Sequence, residues 1–522
     1  MHAVLRSEEL RDLIFSNLVT VGFNEIQGAS SAAAVARTCR DFVEPALRVL
    51  WATHWSFHAF VRLLPDKKVV RTNQGVKLIG ILTIDDLARV RYYGTFVREF
   101  LLNHYQAGIG PHDLTQILLA LQGHPLFPNL HSFEYLHRGV GGDDYIAPCL
   151  PALISRSVKE VYLNLHYPLS PDDNLALEMS ILFSLKHREI SILDLDVVDN
   201  IPRCYAELLT GWITLRHLHL NLYCSNVAPT LVAASTLQGL YTLTLHADTE
   251  VALQSPRMGP TNMSLKKLVI RGRPNKEFAA DAITILHPLA LISLHVDAKL
   301  TPEAIRLLST CMHACCLPDN LKDISFGDRD DLPKGGNRLI LQDILPLFAF
   351  TGLVNVAIHV VDIRFDDTDV ARLAAAWPRL RALSLRCASN AAGPACTLAS
   401  LLALARSCPA LESLALTLDA TELPADQLED RHELPRPPFR LRQLDVMRSP
   451  IGSEPEWVAS FLTRYFPHLR PRNMKAGLQD EDKTMGRREC QRRERWTMVK
   501  RLLPVLMDAR KTGTHGRGAD RR

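Results

Sequence analysis

The chain has 522 residues, 47% of them hydrophobic, with 60 Lys/Arg against 56 Asp/Glu and a formal charge of +4. So small a total gives no general attraction to nucleic acid or to a membrane, and no apolar run approaches the 18 or so residues that span a bilayer. Glu8, Glu9 and Asp12 argue against a secretory signal, and eleven scattered cysteines without framework spacing fit reduced thiols in the cytosol or nucleus.

The first predicted elements lie in residues 4–51. Leu10, Leu13, Ile14 and Leu18 recur at helical spacing, with Ser7 and Glu9 placed for an N-terminal cap. After a stretch of small residues, Ala32 to Arg40 reads as a second helix with Val35, Ala36 and Cys39 on one side. Pro45 fits the first turn of a third, Ala46 to Trp51. Three short helices bury little surface alone, so this module gains stability from docking on something else. Residues 52–125 read as a helical linker or cap.

From Leu130 to Val446 an apolar residue is followed at +3 and +5 by two more, twelve times, on a step of roughly 28 residues. The clearest copies are Leu215/Leu218/Leu220, Leu380/Leu383/Leu385 and Leu411/Leu414/Leu416. The last two positions of each triplet have the period of a strand with one buried face. Between copies, Val370 to Trp377 reads as a helix capped by Thr368 or Asp369, and Leu398 to Ser407 as another ended by Pro409. Fixed-period alternation of strand and helix predicts an α/β solenoid over 126–470, with parallel strands on a concave face and helices on the convex one. These triplets resemble leucine-rich repeats, and Ser407 to Leu416 is most similar to the repeats of F-box-associated families.

Residues flanking the buried positions then point outward in two columns. Tyr162, Asp194, His219 and His295 stand in the central column, and Asp196, Asn221 and Arg386 in the one after it. These seven are the candidates for holding a protein target. Both columns are mixed and nearly uncharged, with no aromatic ladder, so nucleic acid is not the expected ligand.

Other motifs are explained by structure. Cys311, His313, Cys315 and Cys316 crowd together, yet zinc wants two spaced pairs. Buried helix thiols before Pro318 are expected instead, and no metal site. His217 and His219 alternate on one strand with no third ligand. No nucleotide loop or nucleophile motif is present, so neither a catalytic residue nor a cofactor is expected. Gly335 and Gly336 read as a turn, and Asp419 to Arg440 and 470–484 as long loops. Residues 471–522 carry 15 Lys/Arg against 7 Asp/Glu. Trp496, Val499, Leu502 and Leu503 make part of this tail an amphipathic helix. Three readings stay open for it: a solvated helix packed on the last repeat, a nuclear-localisation or anionic-partner patch, or a membrane-surface helix. The end, from Thr512, reads as disordered.

The run Leu5 to Leu18, the segment Ala33 to Phe42 and the close Glu44 to Trp51 resemble the F-box, and the last two are very similar to the divergent F-box-like domains that precede leucine-rich repeats in mushroom-forming fungi. Arg6 and Ser7 stand where that family has proline. The resemblance implies that residues 1–51 bind the Skp-type adaptor of a cullin–RING ubiquitin ligase. It implies that Leu10, Leu13, Ile14, Phe15, Leu18, Pro45, Leu47 and Leu50 form or support the docking face. The implied function is a non-enzymatic substrate receptor. The alternative is a repeat scaffold with no ligase connection, in which residues 1–51 cap the solenoid.

Overall fold

The computed structural model describes residues 7–22, 25–72, 75–103, 108–138, 146–166, 171–186, 188–196, 206, 208–222, 228–247, 264–273, 277–287, 289–327, 338–387, 393–424, 439–475 and 487–516. The chain divides into two compact units, Met1–His246 and Ala247–Arg522. The turn expected at Gly335 and Gly336 lies outside the described residues.

The first unit opens with α1 (Glu8–Ser16), whose first turn is closed by the Ser7 hydroxyl accepting from the Leu10 N–H. Helices α2 (Ala29–Ala36) and α3 (Arg40–Leu50) follow. Two details correct the expected module. It is not all helical: Thr20–Gly22 pairs antiparallel with Glu25–Gln27, because β-branched Thr20, Val21 and Ile26 suit extended chain. And α3 starts at Arg40, so Pro45 lies inside it rather than in its first turn. Proline has no N–H for the carbonyl four residues back, that of Asp41. The Arg11 guanidinium, reaching from α1, donates to that carbonyl at 3.2 Å. The kink-prone position is thereby tied to the neighbouring helix.

Seven parallel strands of this unit follow one another in chain order: Thr53–His54, Glu99–Asn103, Ser132–Arg138, Glu160–His166, Ile192–Asp196, His217–Leu222 and Thr242–Ala247. The first two fall in 52–125, which is therefore repeat-like and more than a helical linker. Val97, Phe100 and Leu102 form a triplet of the same spacing and are fully buried or nearly so. Register stacks Phe100, Phe133, Val161, Leu193 and Leu218 on one level, all buried. Each buried aliphatic side chain contributes about 1.5–3 kcal/mol.

The second unit repeats the plan in eight strands, from Lys267–Gly272 through Ser293–Asp297, Asp323–Phe326, Asn355–Val360, Ala382–Cys387, Ser413–Leu416 and Gln443–Asp445 to Met474–Lys475. The last strand lies inside the stretch expected as a loop from 470. Both units thus carry leucine-rich-repeat solenoid architecture, parallel strands linked by helical returns. Helix Leu398–Ser407 ends where expected. Helix Asp367–Ala376 is capped by Asp366, two residues before Thr368 and three before Asp369, because Asp369 serves as the reciprocal partner in a capping box. Asp367 in turn accepts from the Thr397 N–H and hydroxyl, at 2.8 and 2.7 Å, tying one helix start to the next.

One hydrogen-bond pattern recurs where the strands begin. The carbonyl just after the first apolar residue of a triplet accepts two successive N–H groups of the next repeat. Lys322 O takes Val354 N and Asn355 N, Val354 O takes Arg381 N and Ala382 N, and Arg381 O takes Glu412 N and Ser413 N, all at 2.8–3.1 Å. In the first unit the same pattern starts at Ala52 O, which takes Arg98 N and Glu99 N.

The basic tail forms helix Arg487–Gly516, which packs on helix Pro455–Tyr465. Trp496, Val499 and Leu503 are buried, and the Trp496 indole donates to Ser449 O at 2.8 Å. Of the three readings of the tail, packing on the last repeat is the arrangement observed. Leu502 is only half-buried.

Cys315 and Cys316 are buried as expected, while Cys311 is half-buried. Burial pushes the Cys316, Cys396 and Cys408 thiols up to about 12. Cys490 is exposed and Cys39 half-buried. Alkylation of the native chain followed by peptide mapping should therefore mark Cys490 well before Cys316, Cys396 and Cys408, which stay unmodified until denaturant is added. Modification of any of those three at the rate of Cys490 would contradict this packing.

Candidate functional site

Two surfaces gather the predicted residues, one at the start of the first unit and one along the strands. On α1, Leu10, Leu13 and Ile14 are 41%, 60% and 41% exposed, a contiguous apolar turn left in solvent. Phe15, expected on the same face, is instead buried, its ring edge-on to Phe42 with centroids 5.6 Å apart. Pro45 is buried too, and Leu18, Leu47 and Leu50 are half-buried. The eight residues therefore split. Three present an apolar surface, and the others support it from beneath or at its margin. Val43, not singled out from the sequence, adds a fourth exposed apolar side chain on α3.

On the strands of the first unit, register sets Glu134, Tyr162, Asp194 and His219 at one level and Asn164, Asp196 and Asn221 at the next. His219 Nδ1 and Asp194 Oδ2 share a hydrogen bond of 2.8 Å, and the Asn164 amide donates to Asp196 Oδ2 at 2.7 Å. Burial raises the Tyr162 hydroxyl above the usual range, and the carboxylates of Glu160, Asp194 and Glu134 raise it further. This part of the sheet is acidic, contrary to the expectation of a nearly uncharged face. Glu134, Asp194 and Asp196 stand in the two outward columns themselves, and Glu160 adds a fourth carboxylate. Glu160 stands one place before the first buried strand position, and period two makes that place outward as well.

The other two candidates, His295 and Arg386, belong to the second unit. Here the outward residues line a concave groove of about 780 Å³. Its floor is a row of small side chains, Ser325, Ala357, Ser384 and Ala415, at adjacent register positions. Beside them Ser293, Asn355, Ser413 and Gln443 supply hydroxyls and amides. The His295 ring accepts or donates at 2.6 Å to Ser293 Oγ, and burial, with Lys267 next in weight, holds its pKa below the usual value. Arg386 Nη2 donates to Asp445 Oδ2 at 2.9 Å, reaching past the strand of Ala415. Among the described residues no Phe, Tyr or Trp lines the groove.

The second outward column is only partly a surface. Gly327, Thr417 and Met447 are buried because their strands end at Phe326, Leu416 and Asp445, so the alternation stops before reaching them. His359 lies within its strand yet is 2% exposed, with Nε2 at 3.3 Å from Ser384 Oγ. Among the described residues no group of three or more His, Cys, Asp or Glu side chains could hold a metal, and no helix is long and apolar enough to cross a membrane.

The chain matches no known protein family, and no curated protein is similar to it in sequence. Two of the solved structures to which it is similar are these. The yeast Rad7–Elc1 complex contains a chain 14% identical, with a TM-score of 0.31, over 92% of this chain and 91% of that one. A leucine-rich-repeat protein of Leptospira interrogans is 15% identical, with a TM-score of 0.35, over 81% and 88%.

Proposed function

We propose that this protein is a substrate-receptor subunit of a cullin–RING ubiquitin ligase, with residues 1–51 acting as an F-box-like module that docks a Skp-type adaptor and the repeats holding a protein target. The observation that carries the reading is the turn of α1 that leaves Leu10, Leu13 and Ile14 in solvent while Phe15 anchors the helix from below. An apolar patch of this kind on a small module marks an interaction site. The receptor catalyses nothing itself. It raises the local concentration of a target lysine near a charged conjugating enzyme, and it works in the cytosol or nucleus.

The full chain should co-purify with a Skp-type adaptor, and Leu10→Asp with Leu13→Asp should reduce recovery at least a hundredfold. Both side chains are exposed, so the variant keeps the melting profile of the parent. A folded double mutant that retains the adaptor sinks this docking face.

A second reading has its own support. Helix α3 runs directly into the Thr53–His54 strand, which pairs with Glu99–Asn103. That continuity suits a cap on the first repeat. Absence of adaptor from the parent chain itself would favour a repeat scaffold with no ligase role.

A further inference from the structure

Charge is shared out unevenly along the chain, and the end of the second unit is strongly basic. Residues 439–475 and 488–510 carry 14 Lys/Arg against 6 Asp/Glu, an excess of +8 where the whole chain has +4. Twelve of the fourteen are arginine. Packing of the tail helix on the last repeat buries its apolar stripe, Trp496, Val499 and Leu503, and leaves most of its cations in solvent. Arg440, Arg442, Arg470 and Arg472 stand just ahead of the last two strands, which pair with each other. The Arg470 N–H donates to the Arg442 carbonyl at 3.3 Å, so these arginines lie on adjacent segments. The tail helix packs against Pro471–Asn473, the turn that carries Arg472. On that helix Arg493, Lys500 and Arg501 recur at i, i+7 and i+8 and so share a side. All seven are exposed, and none has an ion-pair partner among the described residues. Of the six acids, Glu489 is taken by Arg492 and Asp445 by Arg386.

We infer that this basic end binds duplex nucleic acid through its phosphate backbone, without reading sequence. A duplex carries one charge per ~1.7 Å of its axis and asks for no pocket, only for a spread of unpaired cations. The planar guanidinium fork meets two phosphate oxygens at once, which fits the predominance of arginine over lysine. An anionic membrane would draw in the apolar stripe of a surface helix, and here that stripe is already buried on the repeat. A folded acidic protein would bring a contact with a charge-depleted centre, whereas the cations here run across both the strand starts and the helix. The inference stands apart from the ligase reading, because it uses neither α1 nor the concave groove.

The test uses the full chain and fluorescein-labelled DNA duplexes of about 20 base pairs in two unrelated sequences, with poly-glutamate and phosphatidylserine-rich vesicles alongside. Anisotropy should show equal binding of the two duplexes, weakening steeply between about 50 and 200 mM salt. Arg440→Ala with Arg442→Ala, Arg470→Ala and Arg472→Ala should lower the affinity about tenfold or more. The same variant should flatten the salt dependence, because each lost phosphate contact removes about one from the slope of log K against log salt. Arg493→Ala with Lys500→Ala and Arg501→Ala should do likewise. Unchanged melting confirms that both variants fold. Absence of duplex binding at about 50 mM salt, an unaltered salt slope in either folded variant, or tighter binding of poly-glutamate or vesicles overturns the inference. Neither variant touches α1, so adaptor recovery reports on the ligase reading alone.

Discussion

Alanine at Gly327 is expected to unfold the second unit at ordinary temperatures or to leave it barely stable. Gly327 follows the Asp323–Phe326 strand with φ +93°, a region L-residues avoid, and a Cβ there would lie 2.0 Å from the His359 carbonyl oxygen and 2.9 Å from its carbon. The obstacle is backbone of the adjacent strand, not a side chain that can swing away. Gly327 N also donates to Val296 O at 2.9 Å, so the residue is held between two neighbouring repeats. Separating them disturbs the stacked Val296, Phe326 and Ile358, all buried. A cost of about 3 kcal/mol or more follows. Gly393→Ala is the control. It has φ +75° with nothing within 4 Å of the added atom, so it tests the backbone conformation alone, at about 1 kcal/mol. Denaturant unfolding of the two variants should differ clearly, and equal midpoints would contradict the close approach.

A second large effect is expected with acid. His54 sits at the start of the first unit between Trp51 and Phe60, with ring centroids 5.1 and 4.9 Å away, and Trp51 stacks on Tyr93 at 4.5 Å. Burial pushes the His54 pKa down from 6.5 to about 4. The unfolded chain takes up a proton as pH falls through about 6.5, and the folded chain does so only near 4. Stability is therefore unaffected by this ring above pH 6.5 and is lost progressively from there down to about 4. The loss over that window is about 3 kcal/mol. His54→Phe keeps an aromatic ring in the cluster and removes the titration. Its unfolding free energy should fall less steeply between pH 6.5 and 4 than that of the parent. Parallel profiles would mean that the ring is solvated in the native state.

What the sequence made legible follows from what apolar spacing reports. Leu380, Leu383 and Leu385 announce a buried strand face because side chains alternate, and the twelve triplets from Leu130 to Val446 could be read in this way. Spacing says nothing about hydrogen bonds between segments some thirty residues apart. Those bonds draw Thr53–His54 and Met474–Lys475 into the parallel sheets, stop the strand at Leu416 and bury Thr417. The same limit applies to the surfaces. Tyr162, Asp194 and His219 were found as one row, but Glu160, which adds its charge to them, belongs to a row that becomes visible only once the register is known. On α1 the helical period placed Leu10, Leu13, Ile14 and Leu18 together and the resemblance added Phe15, whose packing on Phe42 is a tertiary fact that no local pattern contains.

The carbonyl that serves two N–H groups has a consequence for how such a molecule can change. It fixes the start of the strands that carry it through main-chain atoms alone, so the side chain at that position takes no part in holding the ladder. Lys322, Val354, Arg381 and Glu412 occupy equivalent places with identical backbone bonding. Charge can be added, removed or reversed there at little expense to the fold. The surface along that row of positions can therefore change from one descendant to another while the scaffold beneath it stays the same.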